Sequence, residues 1–412
     1  MRLSEKKKIA LVLSGGGVKA AAFHIGVCLA LREKGFHFSG GLKSAKSAES
    51  GGDASKAEAA AAKPLTFSIY VGSSAGSVVA AFLAAGHSLD DIIDAFTRGA
   101  GLGPLRAPRS EKSKLRPISY RDIFSLNLKA GRPSSLLAKI FGSKKPSVSG
   151  GFEVLLKQGF KVNGLFTTKN IERYIRTVVF PENDFKLLDP ELYIIATQLN
   201  HSRKAIFGPY AENSKDKDTK YSGNAKVSEA VAASASLPPF FAPYPIKNTK
   251  GKEIYYFDGE IRDTLSTHVA ADHGADLVIS SYSIQPYHFN QQMGSLHEYG
   301  MPIIFNQALY QLVQQKIEKH IKHQQNMGAM LKAVQGYMKE SGMADEHITK
   351  LTEILTSRTN FNPKVDYLYI HPSPQDYEFF FADHFSLNEK VLAGIVRTGF
   401  KSTMNVLRTQ NL

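Results

Sequence analysis

The hydrophobic positions of the chain fall into short continuous runs that alternate with stretches of helical spacing. Continuous apolar runs are typical of strands covered on both faces of a parallel sheet, and helical spacing indicates amphipathic helices. The runs predict strands at 9–13, 65–71, 192–197, 253–257, 276–281 and 365–370. The helical patterns cover 19–34, 75–85, 227–235, 265–273, 303–338 and 388–407. Strands that alternate with helices predict an α/β fold with a mostly parallel central sheet and flanking helices.

The longest helical pattern, 303–338, carries a stripe of large apolar side chains. Such a stripe normally packs into a core, so we expect it to be buried, with a partner surface as the alternative. Its members are Phe305, Leu309, Leu312, Ile317, Ile321, Met330, Val334 and Tyr337.

Two segments interrupt the alternation of strands and helices. Residues 39–63 are rich in Ala, Ser and Gly without an apolar period, which predicts a flexible insertion. Residues 98–161 hold 14 Lys and Arg but three Asp and Glu, and we expect a basic helical insertion or lid with short helices at 120–124 and 134–140.

Lys139, Lys144 and Lys145 lie beside an apolar helical stretch of this insertion. Anionic headgroups attract clustered lysines by roughly 1 kcal/mol per residue, so transient contact with an anionic membrane surface is expected, with a solvated loop as the alternative. The usual signatures of DNA- and RNA-binding modules are absent, and we expect no nucleic-acid partner.

The 412-residue chain has 51 Lys and Arg against 37 Asp and Glu, a net charge of +14 that arises mostly from this insertion. Its one cysteine, Cys28, excludes an internal disulfide and a cysteine-based zinc site. No run approaches the ~20 apolar residues of a membrane span. The run Ile9–Leu13 is also too short for a signal peptide, so we expect a cytoplasmic protein, peripheral at most at the inner membrane face. The oligomeric state stays open.

Three motifs follow predicted strands. Gly15-Gly16-Gly17 opens the first helix, and its N–H groups can hold an anion, either a phosphate or an oxyanion. The segment 72–76 fits the pattern Gly-x-Ser-x-Gly between a strand and a helix, where a sharp elbow would expose Ser74. Asp258 and Gly259 follow a later strand, at the edge where α/β sheets place their active sites.

With these motifs the chain resembles the patatin-like phospholipases. That family carries Gly-Gly-Gly-x-Arg/Lys-Gly, Gly-x-Ser-x-Gly and Asp-Gly-Gly/Ala, which appear here in the same order as GGGVKA, GSSAG and DGE. The resemblance runs from Lys8 to about Ser283, and more faintly to the last helix. Two residues depart from the pattern: Ala20 replaces a glycine, and Glu260 replaces a small residue after Asp-Gly.

The resemblance implies a three-layer patatin-like hydrolase fold. We expect a catalytic domain over 1–283 and a C-terminal helical extension with one strand over 284–412, packed on the same domain. It also implies hydrolysis of fatty-acyl esters of phospholipids or lysophospholipids, without cofactor or metal. The implied site residues are the nucleophile Ser74, the general base Asp258, the oxyanion-hole glycines Gly15, Gly16 and Gly17, the elbow glycines Gly72 and Gly76, and Gly259 of the Asp-Gly motif.

Several alternatives remain at this point. The same dyad could serve a carboxylesterase, a triacylglycerol lipase or an acyltransferase, and a catalytically silent lipid-binding protein could retain the fold. A Ser-His-Asp hydrolase would need one of His268, His273, His371 and His384. We expect His24 to be packed, and Lys19 either to neutralise an anion or to be solvated. A carboxylate base is weak unless burial raises its pKa, so we also expect the Asp-Gly turn to be covered.

Overall fold

The structure is a computed structural model that describes residues 3–43, 63–97, 115–127, 163–201, 203–211, 213–215, 218–359 and 361–411. Eleven strands of these ranges form one central sheet, and two short strands pair separately. In chain order the strands are β1 (Ile9–Leu13), β2 (His37–Phe38), β3 (Thr66–Ser73), β4 (Ser125–Leu126), β5 (Phe166–Thr167), β6 (Glu191–Gln198), β7 (Arg203–Phe207), β8 (Ser214–Lys215), β9 (Thr219–Ser222), β10 (Tyr244–Lys247), β11 (Glu253–Asp258), β12 (Leu277–Ser281) and β13 (Asp366–Ile370).

The helices of the described ranges cover both faces of this sheet. They are α1 (Gly17–Glu33), α2 (Ala75–Ala84), α3 (Leu89–Thr97), α4 (Tyr120–Ile123), α5 (Lys169–Tyr174), α6 (Val227–Ser234), α7 (Thr267–Asp272), α8 (Met301–Glu340), α9 (Asp345–Thr359), α10 (Tyr377–Phe381) and α11 (Glu389–Thr409). A π-helical segment, Ile175–Val179, continues α5, and a 3-10 turn, Gly259–Ile261, follows β11.

The main path through the sheet is β13-β12-β1-β3-β6-β7-β9-β8, with β2 beside β3 and the β10–β11 hairpin beside β6. Strands β13, β12, β1, β3 and β6 are parallel neighbours, whereas β7 and β11 are antiparallel to β6. The predicted α/β fold with a mostly parallel sheet is therefore confirmed.

The sheet has a helical layer on each face, as the alternation along β1 shows. Ile9, Leu11 and Leu13 pack in the core that contains α1 and α2, and Ala10 and Val12 pack in the core that contains α7. All five side chains are at most 2% exposed. A strand buried on both faces explains why this segment is a continuous apolar run.

The C-terminal part shares this core. Strand β13 extends the sheet beside β12, and α11 lies along α1. The two helices approach closely at glycines: a Cβ on Gly26 would lie 2.0 Å from the Val396 carbonyl oxygen, and one on Gly399 would lie 2.2 Å from that of Phe23.

Helix α8 contradicts the prediction of a buried stripe. Ile317 is 1% exposed, but Phe305 is 62%, Leu312 58% and Tyr337 71% exposed. Leu309 and Met330 are also exposed, and Ile321 and Val334 are half-buried. Of the predicted stripe, Ile317 is buried as expected, and it shares a buried row of this helix with Tyr310. Spacing shows which side chains share a helix face, but it does not show whether anything covers that face.

The two insertions are described in part. Residues 39–43, expected to be flexible, are held to the core, where Gly41 N–H donates to the Ala84 carbonyl (2.9 Å) and Lys43 N–H to that of Leu187 (2.9 Å). In the basic insertion, the predicted helix at 120–124 is confirmed as α4. The other predicted helix, 134–140, and Lys139, Lys144 and Lys145 lie outside the described residues. Within the described ranges, no helix is both long and apolar enough to cross a bilayer.

Candidate active site

The ends of two strands meet on β6 and bring two of the sequence motifs together. Ser73, the last residue of β3, pairs with Ile195, and Asp258, the last residue of β11, pairs with the next residue, Ala196. Because β3 runs parallel and β11 antiparallel to β6, their carboxyl ends approach one another. The two motifs therefore meet through a topology that the sequence did not predict, since the strand before Asp258 is antiparallel.

Ser74 lies on a strained elbow between β3 and α2. Its backbone has φ 50° and ψ −124°, a combination that is unfavourable for a residue with a Cβ. Hydrogen bonds fix this conformation: the Ser74 N–H donates to Ser234 Oγ (2.8 Å), and the Ser74 carbonyl accepts from the Ser77 N–H (3.0 Å) and hydroxyl (2.6 Å). Strain held by its surroundings is typical of functional sites.

The motif glycines allow close backbone approach around this elbow. A Cβ on Gly72 would lie 2.5 Å from Ser77 Cα, and one on Gly76 would lie 2.2 Å from the Leu13 carbonyl oxygen. A Cβ on Gly259 would lie 2.4 Å from the Ile195 carbonyl oxygen. Any larger residue at these positions would push β1, β3, α2 or the Asp-Gly turn apart.

Asp258 is 1% exposed, so the expectation of a covered Asp-Gly turn is confirmed. Burial raises the pKa of Asp258 to about 6, while hydrogen bonds from the Ser74 hydroxyl and the Glu260 N–H act in the opposite direction. The Glu260 N–H lies 2.9 Å from Asp258 Oδ1. The carboxyl is therefore a stronger base than an exposed aspartate, and it faces the elbow serine.

The glycine loop lies against the same elbow. A Cβ on Gly15 would come within 3.3 Å of Ser74 Oγ. Gly16 and Gly17 have φ 134° and 73°, and Gly17 is the first residue of α1. Among the described residues, no acceptor binds the N–H group of either glycine, and both lie at the positive end of the helix dipole. Two N–H groups are thus available for an anion beside Ser74.

The sequence did not predict the contact between Glu260 and the glycine loop. Gly15, the first glycine of the loop, donates its N–H to Glu260 Oε1 (2.8 Å). Glu260 is buried, and burial together with the charge of Asp258 raises its pKa to about 8. The one signal in the sequence for this contact was that Glu260 is charged, whereas the family that the sequence resembles has a small residue at this position.

Lys19 is not solvated, so that alternative for it is wrong. Its side chain is 1% exposed and lies 4.6 Å from the Phe379 ring centre, and its ammonium donates to the Phe380 carbonyl (3.2 Å). Burial lowers the pKa of Lys19 to about 7. This lysine joins the start of α1 to α10 of the C-terminal part.

His384 supports the glycine loop from the same side. Its Nδ1 lies 3.2 Å from the Gly16 carbonyl, which can only accept, so Nδ1 carries the proton and Nε2 accepts from the Tyr310 hydroxyl (2.9 Å). Burial lowers the pKa of His384 to about 4, so the ring is neutral.

The other histidines considered in the sequence analysis bond to groups away from the elbow. His24 is fully buried between the Ser14 carbonyl (2.8 Å) and the Ser281 hydroxyl (2.7 Å), which confirms that it is a packed residue. The other three candidates for a catalytic histidine contact Asp263 and Lys204 (His268), the Val269 carbonyl (His273) and the Pro372 carbonyl (His371). None of these contacts involves Ser74 or Asp258, so the described residues give no support to a Ser-His-Asp arrangement.

An apolar pocket opens beside Ser74. Asp122 is the charged side chain in its wall, and its Oδ1 forms an ion pair with Arg116 Nη2 at 2.6 Å. The lining residues are Gly17, Val18, Ala21, Ser74, Ala75, Val78, Phe96, Ile118, Asp122, Ile123, Ile171, Tyr174, Ile175, Ala235, Leu237, Phe241 and Phe385. A pocket of this composition suits a hydrocarbon chain. Over the ranges that the structure describes, no three His, Cys, Asp or Glu side chains form a metal-binding cluster.

Comparison with protein families agrees with this geometry. The family model of patatin-like phospholipases matches residues 11–271, a span that includes the glycine loop, the elbow and the Asp-Gly turn. The chain belongs to the patatin-like phospholipase family. Membership of this patatin-like family supports a hydrolase that acts on lipid esters. Comparison with curated proteins found no match.

Proposed function

We propose that this patatin-like protein is a lipid acyl hydrolase that cleaves fatty-acyl esters of phospholipids or lysophospholipids. The arrangement around Ser74 carries the proposal: the serine stands on a strained elbow, its hydroxyl faces the buried Asp258, and an apolar pocket opens beside it. A nucleophile, a base and a site for an acyl chain are the parts that ester hydrolysis requires.

In the first step, Ser74 Oγ attacks the ester carbonyl carbon while Asp258 accepts the hydroxyl proton. A pKa of about 6 suits this role, because the carboxylate is ionised at neutral pH yet more basic than an exposed aspartate. The negative charge that develops on the carbonyl oxygen is stabilised by free N–H groups of the glycine loop. Since Gly15 already donates to Glu260, we assign this role to Gly16 and Gly17.

In the second step, the bond to the alcohol breaks, and Asp258 returns the proton to the leaving oxygen. The acyl group is then bound to Ser74, with its hydrocarbon chain in the apolar pocket. Water attacks this ester, Asp258 accepts a proton from the water, and the fatty acid leaves as Ser74 regains its hydrogen. No step requires a metal or an organic cofactor.

The test is product analysis by mass spectrometry on phospholipids, lysophospholipids and neutral glycerides, with the wild type and Ser74→Ala. We expect fatty acid from the phospholipids or lysophospholipids with the wild type and none with the variant. Release from glycerides alone would contradict the proposed substrate class. Acyl transfer to a second lipid would indicate an acyltransferase, and no product on any substrate would indicate a silent lipid-binding protein.

For access to a bilayer, we propose that Lys139, Lys144 and Lys145 contact anionic headgroups. The support is the local charge of the basic insertion. Replacing the three lysines by glutamine should weaken binding to anionic vesicles and reduce its salt dependence. The exposed Lys250, Lys332 and Lys339 offer a matched control. Equal effects of both triple variants would contradict a local contact.

A further inference from the structure

Glu260 connects the three signature motifs through hydrogen bonds. Its side chain accepts from the Gly15 N–H (2.8 Å), and its own N–H donates to Asp258 Oδ1 (2.9 Å). The Asp258 carboxyl in turn faces the Ser74 hydroxyl. The glycine loop, the Asp-Gly turn and the serine elbow are therefore linked through one residue.

Packing holds the Glu260 side chain against the glycine loop and the elbow. A Cβ built on Gly15 would lie 2.7 Å from both Glu260 Cγ and Ser74 Cβ, so the three residues are in close contact. The other carboxyl oxygen, Oε2, is buried and has no hydrogen-bond partner among the described residues. An ionised carboxylate would leave a charged oxygen unsolvated in this position, which is costly.

The charges around Glu260 also oppose its ionisation. Asp258 lies two residues away on β11, and Asp263 lies in the turn that follows. Asp263 is paired with Lys204 of β7 (3.2 Å) and faces His268 of α7 (3.6 Å), so the cation nearest to this turn is already engaged. Burial lowers the pKa of His268, so its ring adds no positive charge. From the glycine loop, β3 and α2, the contacts come from the uncharged Gly15, Ser73 and Ser74.

We propose that Glu260 is a positioning residue of the proposed hydrolase: in its neutral form it holds the glycine loop against the Ser74 elbow, and its ionisation switches the site off. The inference rests on the proposed ester hydrolysis. A neutral carboxyl accepts from the Gly15 N–H and leaves Gly16 and Gly17 for the oxyanion. An ionised carboxyl places a negative charge beside the oxygen on which the reaction builds negative charge, and so opposes the transition state.

The first test is the pH dependence of kcat on a soluble short-chain ester. Above pH 8, close to the pKa of about 8 that burial gives Glu260, kcat of the wild type should fall. The fall should be about tenfold per pH unit, because one deprotonation inactivates the site. Glu260→Gln keeps an acceptor for Gly15 but cannot ionise, so its kcat should change by less than about twofold between pH 7 and pH 9. An alkaline limb that persists in this variant would overturn the proposal.

Glu260→Ala separates positioning from charge. It removes the hydrogen bond to Gly15, so kcat should fall roughly tenfold to a hundredfold at every pH, with KM changed little, because the loop loses its alignment while the pocket remains. Glu253→Gln, at an exposed carboxylate that begins the same strand, is the matched control and should resemble the wild type. Full kcat in Glu260→Ala would contradict the positioning role.

A second readout does not need activity. An unfolded glutamate loses its proton near pH 4.5, whereas folded Glu260 keeps its proton to about pH 8. The folded state thus binds more protons between these values, and wild-type stability should fall relative to Glu260→Gln as pH rises through this window. Thermal unfolding from pH 5 to pH 8 measures this difference. A constant difference would overturn the inference about Glu260. Absence of ester hydrolysis with the expected stability trend would instead reject the proposed function.

Discussion

Two regions of the molecule differ in how far neighbouring elements cover their side chains. One is the carboxyl edge of the sheet, where the Ser74 elbow meets the Asp258 turn, and the other is the hairpin of α8 and α9. At the sheet edge, polar groups are buried and bonded to one another: Ser74 is 7% exposed and Asp258 1% exposed. On the hairpin, apolar groups face outward, with Met301 80% and Phe305 62% exposed. The difference teaches that apolar spacing reports the geometry of an element, whereas neighbouring elements decide which side chains are covered.

The two regions have different neighbours for a topological reason. Strand β1 has hydrogen-bonded strands on both sides and helices on both faces, so no side chain can reach solvent. Helix α8 packs on α9 and meets the main body along a row that includes Tyr310 and Ile317. Its opposite row, with Phe305 and Leu312, stays uncovered by the described residues.

The largest effect is expected from a substitution that disables the site at the sheet edge and leaves the hairpin unchanged. Asp258→Asn removes the base, and kcat on a soluble ester should fall about a thousandfold with little change in folding. Asp345→Asn, at the exposed start of α9, is the matched control and should keep kcat near the wild-type value. Steady-state kinetics and circular dichroism provide the measurement. A kcat of Asp258→Asn within tenfold of the wild type would contradict the role of Asp258.

The next prediction compares the two rows of α8 by the same chemical change. Ile317→Ala removes a side chain that is 1% exposed and should lower the free energy of unfolding by about 2–4 kcal/mol. Ile304→Ala removes one that is 47% exposed and should cost about 0.5 kcal/mol. Urea denaturation measures both values. Equal losses would mean that the outward row is covered in solution.

The acid limb of the pH profile tests whether the sheet-edge carboxyl is as deeply buried as the structure has it. Asp258 must be ionised to accept the proton of Ser74, so activity is present above its pKa of about 6 and is lost as pH falls through that value. Below it, kcat should drop about tenfold per pH unit. An acid limb near pH 4, the range of an exposed aspartate, would show that Asp258 is solvated.

The smallest expected effect lies where the two regions touch. Tyr310→Phe removes the hydroxyl that donates to His384 (2.9 Å), and the net loss should be about 0.5–1.5 kcal/mol of stability. Because His384 also supports the Gly16 carbonyl, a modest fall in kcat should accompany it. Tyr337→Phe, at a ring that is 71% exposed, should change neither quantity. Identical behaviour of the two variants would argue against a link between α8 and the glycine loop.

Much of the fold was predictable because the sheet is covered on both faces. The predicted strands at 9–13 and 192–197 correspond to β1 and β6, and the predicted helix at 75–85 corresponds to α2. Motif positions were also predictable, since glycine is required wherever a Cβ would meet backbone, as at Gly76. Local sequence carries both kinds of information.

Features that depend on distant contacts were not predictable. The antiparallel direction of β11 depends on its pairing with β6, and the environment of Lys19 depends on α10, more than 350 residues later. The contact between Glu260 and Gly15 joins residues 245 positions apart. A single sequence does not show which distant residues pair, because such pairs arise when the sheet brings its motifs to one edge.

The central claim is that Ser74 is the nucleophile, and covalent labelling tests it most directly. A fluorophosphonate reacts with an activated serine, so digestion and mass spectrometry of the labelled wild-type protein should find one adduct, on the peptide that contains Ser74. Labelling should disappear in Ser74→Ala and slow strongly in Asp258→Asn. An adduct on a different serine, or undiminished labelling of Ser74→Ala, would contradict the account.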